Sequence, residues 1–125
     1  KQSMAFFKGL GFEFNMQCTD EEKAACLVIG ENMFAMLLNE EYFKSFTKKE
    51  IVDTDKYAQL TVALSAESRE KINEIVNKAV SLGGKLYTDP VDHGYMYQWG
   101  FQDPDGHIWE IVYMDMNALK EQGQA

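Results

Sequence analysis

The sequence predicts an α+β domain of two βαβββ modules, and three observations carry that reading. The first is a hairpin at residues 95–115, YMYQWGFQDPDGHIWEIVYMD, in which a turn separates an aromatic run from an apolar, partly β-branched one. Both runs favour strands, and Asp103-Pro104-Asp105-Gly106 has turn chemistry at every position. The second is an internal repeat. Leu10-Gly11-Phe12 matches Leu82-Gly83-Gly84, an offset of 82 − 10 = 72, and Asn32-Met33-Phe34-Ala35-Met36 lies over Gly106-His107-Ile108-Trp109-Glu110, an offset of 110 − 36 = 74. The third is hydrophobic spacing that changes from helical to alternating within each half.

In chain order, residues 3–10 read as a helix with Met4, Phe7 and Leu10 on one face, stopped by Gly11. Residues 12–17 alternate apolar and polar, which predicts a strand. Residues 25–29 and 33–38 follow as two more strands around Gly30-Glu31-Asn32. Residues 39–55 hold Tyr42, Phe43, Phe46 and Ile51 among Lys and Glu, with room for a short helix. They are too long for a tight turn and are expected to join the halves.

Residues 57–64 predict the next strand. Ser65 or Ser68 is placed to cap a helix to about Leu82, its inner face Ile72, Ile75, Val76, Ala79 and Val80. Gly83-Gly84 ends it, residues 85–88 make a short strand that Asp89-Pro90 interrupts, and the hairpin completes the fold. Beyond Asp115 the tail is polar and expected to fray after at most one helical turn. The organisation is one domain: a first module over about 1–40, a linker over about 41–56, a second module over about 57–115, and the tail 116–125. The first half shows no strand before its helix. Since 57 − 72 = −15, the repeat places that partner about fifteen residues before Lys1. We therefore expect a missing N-terminal strand, leaving seven of eight strands and an open edge.

Size and composition bound the function. With 125 residues, 46% apolar and 13% aromatic, the chain is long enough for a true core and is not disordered. No apolar run approaches the roughly 18 residues of a membrane span, and no signal-peptide pattern is present, so the expected compartment is the cytoplasm. A net charge of −8, from 20 acidic and 12 basic residues, argues against nucleic acid or an anionic membrane as partner. Cys18 and Cys26 flank the Asp20-Glu21-Glu22 turn, where hairpin counting can bring them opposite one another. Two cysteines are no disulfide framework, and reduced thiols are expected.

The paired modules, the LGF and LGG helix ends and the strand-DPDG-strand-Glu hairpin resemble the vicinal oxygen chelate superfamily. That group includes glyoxalase I, extradiol dioxygenases, fosfomycin-resistance enzymes and bleomycin-resistance proteins. FFKGLGFEF, NMFAMLLNEEYFKSF and DGHIWEIVYMD look like a bacterial glyoxalase/bleomycin-resistance branch, and the resemblance covers essentially the whole chain. It implies mixed sheets curved around a cleft, helices outside, and a homodimer. In metal-dependent members, the first and last strands of each module supply ligands to a divalent cation. Those positions fall here on Met36, Gln59 and Glu110, with the fourth on the unseen strand.

Ligand chemistry weighs against a tightly held metal, and no cofactor is expected. Divalent ions prefer imidazole and carboxylate, whereas Met36 offers a thioether and Gln59 a neutral amide. If a metal binds, Glu110 and Gln59 are its ligands. His107 lies three positions from Glu110 along a strand and points to the other face, and His93 lies in a loop.

A cleft with apolar walls and few polar fixtures suits a small molecule. Its expected lining is Phe34, Met36 and Leu38, then Gln59 and Thr61, then Ile108, Glu110 and Val112, with Tyr97 and Trp99 as walls. Three functions remain open. The first is metal-free binding of an apolar or cationic molecule near Glu110. The second is a metal-dependent lyase or dioxygenase using a ligand on the unseen strand. The third is a metal-free enzyme with Glu110 as catalytic base, its pKa raised by burial.

Overall fold

A computed structural model gives the structure of the protein and describes residues 1–123. It divides into two compact units, Lys1–Tyr57 and Ala58–Ala125. The architecture is α+β with two separate sheets, neither closed into a barrel.

In the first unit, α1 (Gln2–Gly9) ends at Leu10, and Gly11 follows at φ +101, a left-handed conformation that suits glycine. Met4, Phe6 and Phe7 are its buried residues, so Phe6 takes the place expected for Leu10. Phe7 meets Phe6 and Phe12 edge-on, at ring separations of 5.1 and 5.9 Å. The strand expected over residues 12–17 shrinks to β1 (Glu13–Phe14). Asn15 ends it: its side chain accepts from Gln17 N and caps a 3₁₀ turn, Met16–Cys18. β2 (Ala24–Gly30) and β3 (Met33–Leu38) complete an antiparallel sheet in the order β1-β2-β3. The linker contains α2 (Glu40–Lys44), capped by Asn39, whose side chain accepts from Tyr42 N at 2.7 Å.

In the second unit, the strand expected at 57–64 begins later, as β4 (Thr61–Ser65). Of the two candidate caps, Ser68 is the one used. Its hydroxyl accepts from Lys71 N at the start of α3 (Arg69–Ser81). Ile72, Val76 and Ala79 are buried as expected, but Val80 is 40% exposed, since four apolar positions in close succession exceed the width of one buried stripe. Leu82 and Gly83 at φ +105 repeat the Leu10–Gly11 ending. The short strand after it is split by Asp89-Pro90 into β5 (Lys85–Leu86) and β6 (Val91–Asp92), both paired with β7 (Met96–Gln102). β8 (Ile108–Met114) pairs antiparallel with β7 and parallel with β4, giving β4-β8-β7-β5. The tail is more ordered than its polarity suggests and forms α4 (Met116–Gly123), with Asp115 Oδ1 accepting from Asn117 and Ala118 N.

The DPDG turn is held by Asp103, a buried carboxylate. Its Oδ1 accepts from Asp105 N at 2.9 Å and His107 N at 3.0 Å, and its Oδ2 accepts from Trp109 Nε1 at 2.9 Å. Gly106, at φ +89, donates to the Asp103 carbonyl at 3.0 Å. Both cysteines are free. They do not face one another: Cys26 pairs across strands with Met36, while Cys18 lies in the 3₁₀ turn.

Candidate functional site

The repeat extends to strand register. Cys26 pairs with Met36 in the first unit as Gly100 pairs with Glu110 in the second, with one offset on both strands, 100 − 26 = 74 and 110 − 36 = 74. Met36 and Glu110 are thus equivalent positions at the middle of equivalent strands.

Alternation sorts the second sheet into two faces. On one, Tyr97, Phe101, Trp109 and Ile111 are buried. The Tyr97 hydroxyl donates to Asn73 Oδ1 of α3 at 2.6 Å, which identifies this as the helix-covered side. Arg69, at the start of α3, lies over the rings of Tyr97 and Tyr113 and donates to Asp92 Oδ2 at 3.4 Å and the Gly94 carbonyl at 2.9 Å. The hydrogen bonds from Gly94 and Arg69 hold the Asp92 carboxyl below its ordinary value.

The opposite face carries three rows: Thr61, Ile108 and Gln102; Ala63, Glu110 and Gly100; Ser65, Val112 and Gln98. Glu110 is half-buried at the centre. Its lateral neighbours are a methyl group and a hydrogen. Gly100 has no alternative there, because a β-carbon would collide with the Trp109 carbonyl oxygen. Among the described residues the Glu110 side chain has no hydrogen-bond or ion-pair partner.

Of the expected site residues, Thr61, Ile108 and Val112 therefore share a face with Glu110. Tyr97 and Trp99 do not. They alternate onto the helix-covered side, and Trp99 Nε1 donates to the Thr88 carbonyl at 2.7 Å. The strand period of two settles this, since Glu110 pairs with Gly100, which alternates with both aromatics. Gln59 is exposed and precedes β4, so it is not a strand position at all. Phe34, Met36 and Leu38 share a face of the first sheet, with Phe34 53% and Met36 50% exposed. Met36 and Leu38 line a depression of about 530 Å³ with Tyr42, Phe46 and the Gln17–Asp20 turn, and Glu110 is not part of it.

Residues without a signal of their own in the sequence are Ala63, Ser65, Gln98, Gly100 and Gln102. The placement of Ala63 and Ser65 follows from the parallel pairing of β4 with β8, and that of Gln98, Gly100 and Gln102 from the turn. A hairpin closed by Asp103–Gly106 puts Gln102 opposite Ile108 and so sets Gly100 against Glu110. His107 is exposed and lies before the strand, and His93 is exposed with its ring 6.3 Å from that of Tyr95. Among the described residues no three His, Cys, Asp or Glu side chains are grouped to hold an ion. The three legible ligand positions comprise one carboxylate, one thioether and one off-strand amide, a donor set that does not fit a catalytic divalent cation.

The family model of the Glyoxalase/Bleomycin resistance protein/Dioxygenase superfamily matches residues 1–111. The chain belongs to this superfamily. Solved structures of similar fold include a hypothetical protein from S. aureus, 23% identical with a TM-score of 0.77, over 90% of this chain and 83% of that one. A glyoxalase/bleomycin resistance protein/dioxygenase family enzyme from Burkholderia phytofirmans is 16% identical, TM-score 0.72, over 90% and 88%. A lactoylglutathione lyase from Agrobacterium tumefaciens is 11% identical, TM-score 0.63, over 92% and 84%. At these identities the likeness is one of fold, and superfamily members share a fold across unrelated chemistries. No curated protein matches the chain. Among the described residues no helix is long and apolar enough to cross a membrane.

Proposed function

We propose that this superfamily member is a small-molecule-binding protein that works without a tightly held catalytic metal and takes a cationic ligand at Glu110. One observation carries the reading. Glu110 is a carboxylate at the centre of a sheet face, without a partner among the described residues and with a methyl group on one side and no side chain on the other. A partly desolvated charge without a partner is a cost to the fold, and a bound cation relieves it. The donor set described above favours a metal-free site over the lyase or dioxygenase alternative. We also propose that the chain pairs with a second copy, because β3 carries exposed Met33, Phe34 and Met36, an apolar strip suited to burial against a partner.

The test is a cationic and a neutral small-molecule panel read by calorimetry on the wild-type chain and Glu110→Gln. The variant keeps shape and removes charge. Cation binding is expected to fall about 10-fold or more, as losing a desolvated charge contact costs about 1.5–3 kcal/mol. The melting temperature is expected to hold, because no partner is left unpaired. A large drop in melting temperature would make Glu110 a scaffold residue and end this reading. Metal analysis of protein purified without chelator that finds one tightly held transition ion per chain would also end it.

A further inference from the structure

The face around Glu110 has a chemistry that its counterpart lacks. Its nine positions put hydrogen-bonding side chains at all four corners: Thr61, Ser65, Gln98 and Gln102. Shifted back by 74 onto the first sheet, Gln98, Gly100 and Gln102 become Ala24, Cys26 and Val28, and Ile108, Glu110 and Val112 become Phe34, Met36 and Leu38. The same register there carries no charge and no amide. None of the four corner side chains has a hydrogen-bond partner among the described residues, although Gln98 and Gln102 are half-buried. No Lys or Arg stands among the nine positions. With sheet spacings of about 4.8 Å between strands and 3.3 Å per residue, the grid spans about 10 by 13 Å. That is the footprint of a molecule of one or two rings.

We infer that this grid selects an aminated, hydroxyl-rich small molecule: a primary ammonium over Glu110, with the surrounding hydroxyl or amide groups met by Gln98, Gln102, Thr61 and Ser65. The inference rests on the proposed role of Glu110 and adds the class of the ligand's body, which the corner residues decide. The gap that Ala63 and Gly100 leave beside the carboxylate admits the ammonium close to the sheet. The amides, each with a donor and an acceptor, suit hydroxyl groups that also offer both. An apolar body would bury these amides without partners, which is unfavourable, so the grid discriminates against apolar amines.

The test titrates the full chain with glucosamine, glucose and cyclohexylamine, followed by amide spectra that include the side-chain NH₂ pairs of Gln98 and Gln102. Glucosamine is expected to move both pairs and to bind about 10-fold more tightly than glucose or cyclohexylamine. Gln98→Met and Gln102→Met, which keep length and remove the amide, are each expected to weaken glucosamine about 10-fold and to tighten cyclohexylamine, which then buries no unmet amide. Backbone spectra of each variant verify that it is folded. If both variants bind glucosamine as the wild type does while Glu110→Gln weakens it, the inference falls and the Glu110 reading stands. The inference falls in the same way if cyclohexylamine binds more tightly than glucosamine. If none of the three moves any resonance of Ala63, Gly100 or Glu110, both readings fall.

Discussion

Asp103 shows how one carboxylate can set the geometry of a whole face. Its two oxygens take three N–H groups, from Asp105, His107 and Trp109, and so close the hairpin at the register that pairs Gly100 with Glu110. Burial pushes its carboxyl above the ordinary value of 3.8, with the donors from Trp109, His107 and Asp105 pulling the other way. Just above 3.8 the native state therefore holds more protons than the unfolded chain, and this group's contribution weakens as pH rises. Asp103→Ala leaves three donors unmet and is expected to destabilise the fold by about 3 kcal/mol or more. Asp103→Asn keeps an acceptor for the two backbone donors but turns an NH₂ toward Trp109 Nε1, at a cost of about 1–3 kcal/mol. Urea melts of both variants check the order. Equal losses would mean that the two backbone bonds that asparagine retains contribute nothing.

At the scale of elements, α3 is anchored at its first turn. The Ser68 hydroxyl caps it, and Arg69 reaches from it to Asp92 at the end of β6 and to Gly94 just past it. Ser68→Ala is expected to lower stability by about 1 kcal/mol, and Ser68→Asn to retain most of it. A chemical melt in which the alanine variant matches wild type would show the cap to be idle. Asp92 titrates in the opposite sense to Asp103. Its folded pKa lies below the ordinary value, so its contribution is present above 3.8 and is lost as pH falls through the folded value. Asp92→Asn is therefore expected to cost stability at neutral pH and nothing once the Asp92 carboxyl is protonated in the folded and unfolded states alike. Thermal melts at pH 7 and in strong acid test this, and an equal penalty at both would assign the effect to packing.

For the whole molecule, the two units repeat one plan with different surface chemistry. The first sheet turns apolar residues outward: Met33 is 61% exposed and Phe34 53%. Such an exposed apolar strip favours burial against a second copy, so the chain is expected to self-associate. Light scattering at micromolar concentration should show twice the 14.3 kDa chain mass. Replacing Phe34 by Lys on this surface should shift the population to the monomer. A monomer in the wild type would refute the pairing.

The sequence by itself determined the elements whose signal is local. The DPDG turn, the Leu-Gly helix ends and the β3 alternation are each written in a few consecutive residues, and each stands at its expected place. The repeat offset alone identifies Met36 and Glu110 as equivalent positions. Tertiary structure decided what depends on a second strand or a helix. Whether residues 12–17 stay extended turned on Asn15 bonding its own backbone. Whether Gln59 joins β4 turned on where pairing with β8 begins, at Thr61 opposite Ile108. Tyr97 and Trp99, on the strand that pairs with Glu110's own, look like its pocket walls, yet they belong to the other side of the sheet. Composition marks a residue as suited to a pocket wall, but only the pairing register and the side on which α3 packs decide which face it lines.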